Sequence, residues 1–258
     1  MAARTKTGAL RTLALTLSLG LALVGCSGSP EAGELPEGHA PISTEEATGS
    51  PAAPAETTEP GIAELSVASG ISMAARLGFD KARVVSGAEL KELATAPQNT
   101  LGPVTVLPGQ CADTIESLNW SPLQMGSEGA RTDFLTDSIP ATGSVEVARI
   151  TDKPALEAHY ATVLEMLTEC KAVTLHQDTE TIPFVSKKPS LKKSETDSAI
   201  LWTRGREGQG MRQQALVLIQ TKGDYVGMVS FIATDGLEKP EFAQMAAQIL
   251  KAALTQAG

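Results

Sequence analysis

The chain has 258 residues, 30 acidic against 21 basic side chains, a formal net charge of −9 and only 3% aromatic residues. Such a balance excludes nonspecific binding to nucleic acid or to an anionic membrane through bulk charge. The apolar run near its start falls short of the ~20 residues that a spanning helix needs, which argues against a transmembrane segment there.

That start has three zones. Arg4, Lys6 and Arg11 are positive with no acid nearby, residues 13–24 are apolar and Leu-rich, and Gly25-Cys26 follows. Positive, then apolar, then small is the order of a secretory signal peptide. Leu23-Val24-Gly25-Cys26 resembles the bacterial lipobox, in which the cysteine thiol is alkylated by a diacylglyceryl group and becomes residue one after cleavage. Two or three acyl chains anchor stably where one is marginal. Residues 1–25 are therefore read as a lipoprotein signal peptide, and Cys26 as the lipidated residue that holds the chain to the outer face of a cell membrane. Cleavage removes three basic residues and no acid, leaving 18 basic against 30 acidic.

The cysteine count agrees. Three cysteines in an exported protein leave one over, and lipidation of Cys26 accounts for it. Cys111 and Cys170 remain, in a compartment that permits disulfides, and are expected to pair.

Residues 26–61 are rich in Pro, Ala, Gly, Ser, Thr and Glu and hold no aromatic residue. A segment of that composition cannot bury enough surface to offset its ordering entropy. It is read as a disordered tether with a reach on the order of 30–40 Å. His39 within it is expected to be solvated.

Residues 62–258 are read as one domain. Ser86-Gly87-Ala88-Glu89 has the form of a capping box and predicts a short helix ending before Pro97. A strand is expected at 104–107, a brief helix carrying Cys111, Ile115 and Leu118, and strands at 130–137 and 145–150. The clearest helix follows, with Thr151 or Asp152 as cap, Pro154 in its first turn and a stripe of Leu156, Tyr160, Val163, Leu164 and Leu167. Cys170 ends it. Short strands at 173–176 and 181–185 lead to a meander of 199–206, 212–221 and 225–234. An amphipathic helix over Phe242, Met245, Ile249 and Leu250 closes the chain. The pattern is α+β, an antiparallel sheet with helices packed on one face and one disulfide.

Catalytic and metal chemistry find little support. His159 and His176 stand far apart with no free Cys to join them, and no Gly-x-Ser-x-Gly occurs. His159 lies off the apolar stripe and is expected to be solvated or partly packed. The chain is not expected to be an enzyme or to carry a cofactor. Lys187, Lys188, Lys192 and Lys193 form a basic loop, read as solvated with Glu195 and Asp197 for partners. Trp120 and Trp202 are read as core residues before cleft residues.

Several of these segments occur in a known order. Pro108-Gly109-Gln110-Cys111 opens a short helix, and the strand at 145–150 enters the long helix through Thr151-Asp152-Lys153-Pro154-Ala155. That helix ends Leu167-Thr168-Glu169-Cys170-Lys171. Trp202 lies in one strand and Gln214-Ala215-Leu216-Val217 in the next, before the terminal Ala-rich helix. From about Leu90 to Leu254 the order resembles the PknH-like extracellular sensor domain family of actinobacterial lipoproteins and kinases. The resemblance implies a twisted antiparallel sheet, helices forming a cleft for an unidentified ligand, and a bridge from Cys111 to Cys170. The family's second disulfide has no counterpart, since the places near Arg212 and Ile232 or Ala233 hold no cysteine. No kinase half is read here. The expected function is that of a cell-envelope lipoprotein with a non-catalytic, sensor-like binding domain. Its partners are the membrane and an unidentified small molecule, lipid or envelope protein, with no nucleic acid. The alternative is a structural or accessory envelope protein acting through a protein–protein interface.

Overall fold

A computed structural model describes residues 59–125, 128–191, 195–208 and 212–257. The signal peptide, Cys26, nearly all of the tether with His39, and Lys192 and Lys193 lie outside the described residues.

Helix α1 (Ile62–Arg76) comes first, followed by β1 (Lys81–Val85), α2 (Gly87–Leu93) and β2 (Thr105–Leu107). A 3-10 turn, Gly109–Cys111, runs directly into α3 (Ala112–Glu116). Next stand β3 (Gly129–Leu135), β4 (Ala141–Arg149) and α4 (Lys153–Thr168). Strands β5 (Ala172–Gln177), β6 (Glu180–Lys187), β7 (Ser198–Arg204), β8 (Gln213–Lys222) and β9 (Tyr225–Ala233) precede α5 (Pro240–Ala253). The nine strands form one antiparallel sheet in the order β1-β3-β4-β9-β8-β7-β6-β5-β2.

The expected α+β class, antiparallel sheet and single disulfide are all present. The helices, however, divide between the two faces instead of sharing one. Alternation along the strands explains why. Val145 and Val147 of β4, Leu216 and Leu218 of β8, and Val229 and Phe231 of β9 pack with α1 and α5. The intervening residues Ile200 and Val217, with Phe184 and Leu175, pack with α3 and α4 on the other side. Both faces carry apolar residues, so each needs a cover.

The first face is closed by aromatic contacts and by small residues. Phe231 meets Phe79, Phe134 and Phe242 with ring centroids 5.4, 5.5 and 5.7 Å apart. Gly143 leaves room for the Phe134 ring, since a Cβ there would lie 2.2 Å from it. Gly70 of α1 sits where a Cβ would come within 3.0 Å of Ala253 and 3.1 Å of Val145.

On the second face, α4 starts as expected. Asp152 accepts from the Ala155 N–H at 3.0 Å, and Pro154 occupies the first turn. Its buried residues are Leu156, His159, Val163 and Met166. The stripe is thus rotated from the expected one: Leu164 is exposed and Met166 is buried. Met166 packs beside the disulfide between Cys111 and Cys170 (S–S 2.01 Å, Cα–Cα 5.7 Å), with Ile115 of α3 and Val173 and Leu175 of β5.

Helix α2 departs from expectation at its cap. Ser86 makes no side-chain cap bond. Glu89 turns instead to Arg83 on β1, which donates from both terminal nitrogens at 2.7 and 2.8 Å. A charged fork outcompetes a neutral backbone N–H for a carboxylate.

Candidate ligand cleft

Alternation places one residue in two from each strand on the second face, and their register sets the cleft floor. Trp202 lies opposite Ala215, Ile200 opposite Val217, and Ser198 opposite Ile219. Across the next ladder Val217 faces Ser230, and Ile219 faces Met228. The walls come from the segment after α2, from α3 and from α4, through Leu101, Ile115, Leu118, Trp120 and Val163. Between floor and walls lies a cleft of about 570 Å³. That is within the ~300–1,000 Å³ of small-molecule sites, and an apolar lining with a few polar groups is their usual make-up.

Both tryptophans line this cleft while also packing against neighbours. Trp202 stacks on Phe184 at 5.4 Å, and Trp120 stacks on His159 at 4.2 Å and 14°. Core packing is expected from the sequence ahead of a cleft role, and the two tryptophans combine them. A side chain on a wall is buried on one side and faces the ligand space with the other.

His159 is also corrected. It is buried, beyond the solvated or partly packed state expected, because the chain from Ser117 to Trp120 folds over α4 and covers the ring. Its Nδ1 has no partner. Burial drives its pKa from 6.5 down to about 4, against an opposing hydrogen bond to the Ser117 backbone. The sign follows by linkage. The folded state refuses a proton that the unfolded state accepts, so stability is full above pH 6.5 and is lost as pH falls toward 4. Between pH 7 and pH 4.5 this residue alone is expected to remove roughly 2 kcal/mol. Urea titrations of the wild type and of His159→Phe at both pH values check this. The pH-dependent loss should shrink by that amount in the variant, and an equal loss in both would assign the pH response elsewhere.

The β3–β4 side of the floor is charged. Arg131 and Glu146 face each other in register, and Arg131 Nη1 donates to Glu146 at 2.6 Å. Glu146 is only 1% exposed and also accepts from the Ser121 hydroxyl, which itself accepts from the Leu123 N–H. Arg131 Nε donates to Asp133 at 2.8 Å, and Arg83 donates to Asp133 at 2.6 Å. Glu89, Arg83, Asp133, Arg131, Glu146 and Ser121 thus form one chain of alternating charge from α2 to the cleft. Burial raises the Glu146 pKa, and Arg131 and Ser121 oppose that rise.

Nothing in this arrangement gathers metal ligands: among the described residues no group of three or more His, Cys, Asp or Glu comes together. His176 stands apart on β5, where Thr181 lies 3.4 Å from its Nδ1. Lys187 and Lys188 are exposed, and Asp197 accepts from the Thr221 N–H and hydroxyl, both at 2.7 Å. Arg212 meets Asp235 at 3.0 Å.

No protein-family model and no curated protein matches the chain. The solved structures similar to it include two from mycobacteria. One is the extracellular domain of PknH from Mycobacterium tuberculosis, at 15% identity over 66% of this chain and 97% of that one, with a TM-score of 0.37. The other is an uncharacterised protein of Mycobacterium smegmatis, at 16% identity over 77% of this chain and 97% of that one, with a TM-score of 0.44. The first is the domain that the sequence resemblance points to. Among the described residues no helix is long and apolar enough to cross a membrane.

Proposed function

We propose that this chain is a cell-envelope lipoprotein, anchored through an acylated Cys26, whose domain binds a ligand on the outer side of the membrane in the manner of a sensor ectodomain. The observation that carries the binding reading is the apolar cleft between the sheet and α3–α4. A cavity of that size lined by Trp120, Trp202, Ile200 and Val217 leaves apolar surface uncovered, and a ligand that fills it recovers the transfer free energy of that surface. The anchor reading rests on the leader and lipobox. We expect no catalysis. The protein-interface alternative has less behind it. Among the described residues the large exposed apolar side chains are scattered: Ile62 and Leu65 stand on α1, and Val84, Leu107, Leu135, Leu164, Val185 and Ile232 on β1, β2, β3, α4, β6 and β9.

Native mass spectrometry of the chain taken gently from its own envelope tests both parts. The expected spectrum has two additions. One is covalent, a lipid on Cys26 as residue one, and survives denaturation. The other is noncovalent and is lost on denaturation. A mature chain without the lipid defeats the anchor reading. A bare mass that stays bare after incubation with envelope extract moves the function to a protein interface.

A further inference from the structure

The floor of the cleft is not apolar to its end. Along β7 and β8 the register runs from Ser198–Ile219, through Ile200–Val217 and Trp202–Ala215, to Arg204–Gln213. At the first of these rows Ile219 packs with Leu156 of α4, Met125 and Met228. The last row, Arg204–Gln213, lies at the other end and also lines the cleft.

Arg204 differs from the other cations around the cleft. Arg131 is neutralised by Asp133 and Glu146, and Arg83 by Glu89 and Asp133. Arg204 is half-buried, makes no ion pair among the described residues, and has a buried Nε with no hydrogen-bond partner. An arginine cannot give up its proton to relieve that cost. Its neighbours in register are Phe184 on one side and Gln213 on the other, and neither carries a charge. Two rows of apolar side chains therefore lead to a single uncompensated guanidinium beside an amide.

From this we infer that the ligand is an anionic amphiphile, with an apolar chain or ring lying over Ile200, Val217 and Trp202 and a carboxylate or phosphate head at Arg204 and Gln213. The inference rests on the cleft being the ligand site. A planar guanidinium takes either head group through paired N–H donors, and Gln213 adds one neutral donor. Burial of the apolar part supplies affinity, and Arg204 supplies selection for charge.

Decyl phosphate, decanoate and uncharged decanol are the probes, with inorganic phosphate as the head alone. The protein is the chain from Ser27 onward, which keeps every described residue. Trp120 and Trp202, the chain's two tryptophans, both line the cleft, so intrinsic fluorescence reads occupancy, and calorimetry gives the affinity. The expected result is that both acidic probes bind roughly tenfold or more tighter than decanol, as a charge-assisted pair allows. Arg204→Gln should bring them down to the decanol level without changing decanol itself. A phosphate preference over decanoate points to a phospholipid-like ligand, and the reverse to an acyl or aryl acid. Equal binding of decanol and the acidic probes, or a charge preference that survives Arg204→Gln, overturns the inference while the cleft stands as a binding site. No binding by any ten-carbon probe overturns both.

Discussion

Replacing Cys111 and Cys170 together with alanine should lower the free energy of unfolding by about 4 kcal/mol, with the change in the urea midpoint as the measure. The bridged residues are 59 apart in sequence, and closing a loop of that length is what the chain-entropy account weighs. A small domain has roughly 5–15 kcal/mol in all, so this one bond is a large share. Its position makes it more than a staple of the unfolded chain. Cys111 stands where the 3-10 turn passes into α3, and Cys170 stands just past α4. Those two helices are walls of the cleft. Between them Thr114 donates to Glu165 at 3.0 Å, on a partly exposed surface. The variant should therefore also bind apolar probes more weakly while keeping its far-ultraviolet spectrum. A midpoint that hardly moves would mean that packing of Ile115 against Val163 and Met166 holds the walls without help.

The sequence was most legible where a face is buried by large side chains. Residues 225–234 form an almost unbroken apolar run that is buried on both faces of the sheet, and the expected strand matches β9 almost to the residue. Asp152 and Pro154 mark the start of α4 by local chemistry alone. Two elements gave no such signal. Helix α1 buries Ala63, Ser66, Val67, Gly70 and Ala74, so its core face is small and partly polar, and an apolar period hardly registers. Its fit depends on the absence of a side chain at Gly70, which only the packed partner reveals. Strand β1 is an edge, exposed along nearly its whole length, and is specified by pairing with β3 and not by its own pattern. The site was less legible for the same reason. Trp120 and His159 are 39 positions apart and stack because the chain just past α3 lies against α4. Arg131 and Glu146 become partners through the β3–β4 register, and Arg204 gains its meaning from what does not face it. No local window contains such relations.

The buried pair itself makes the last expectation. Arg131→Met should cost about 3 kcal/mol near pH 8, because it strands Glu146 in a site where the carboxylate has lost its counter-charge. Burial already holds the Glu146 pKa above its ordinary value, and removing Arg131 takes away the main opposing force. The linkage sign is then unambiguous. A carboxyl whose folded pKa is raised binds a proton more readily folded than unfolded, so its penalty is full above the folded pKa and vanishes below the unfolded one. Destabilisation of Arg131→Met should thus shrink as pH falls into the ordinary carboxylate range, opposite to the His159 response in direction. Adding Glu146→Met should restore most of the loss at pH 8, since apolar replacement of a whole buried pair is often neutral or favourable. Urea midpoints of the two single variants and the double variant, each at pH 5 and pH 8, form the test. If the double variant stays as weak as Arg131→Met, the pair does more than satisfy itself. The loss then lies in the alternating chain of charge that ties α2, through Arg83 and Asp133, to the rim of the cleft.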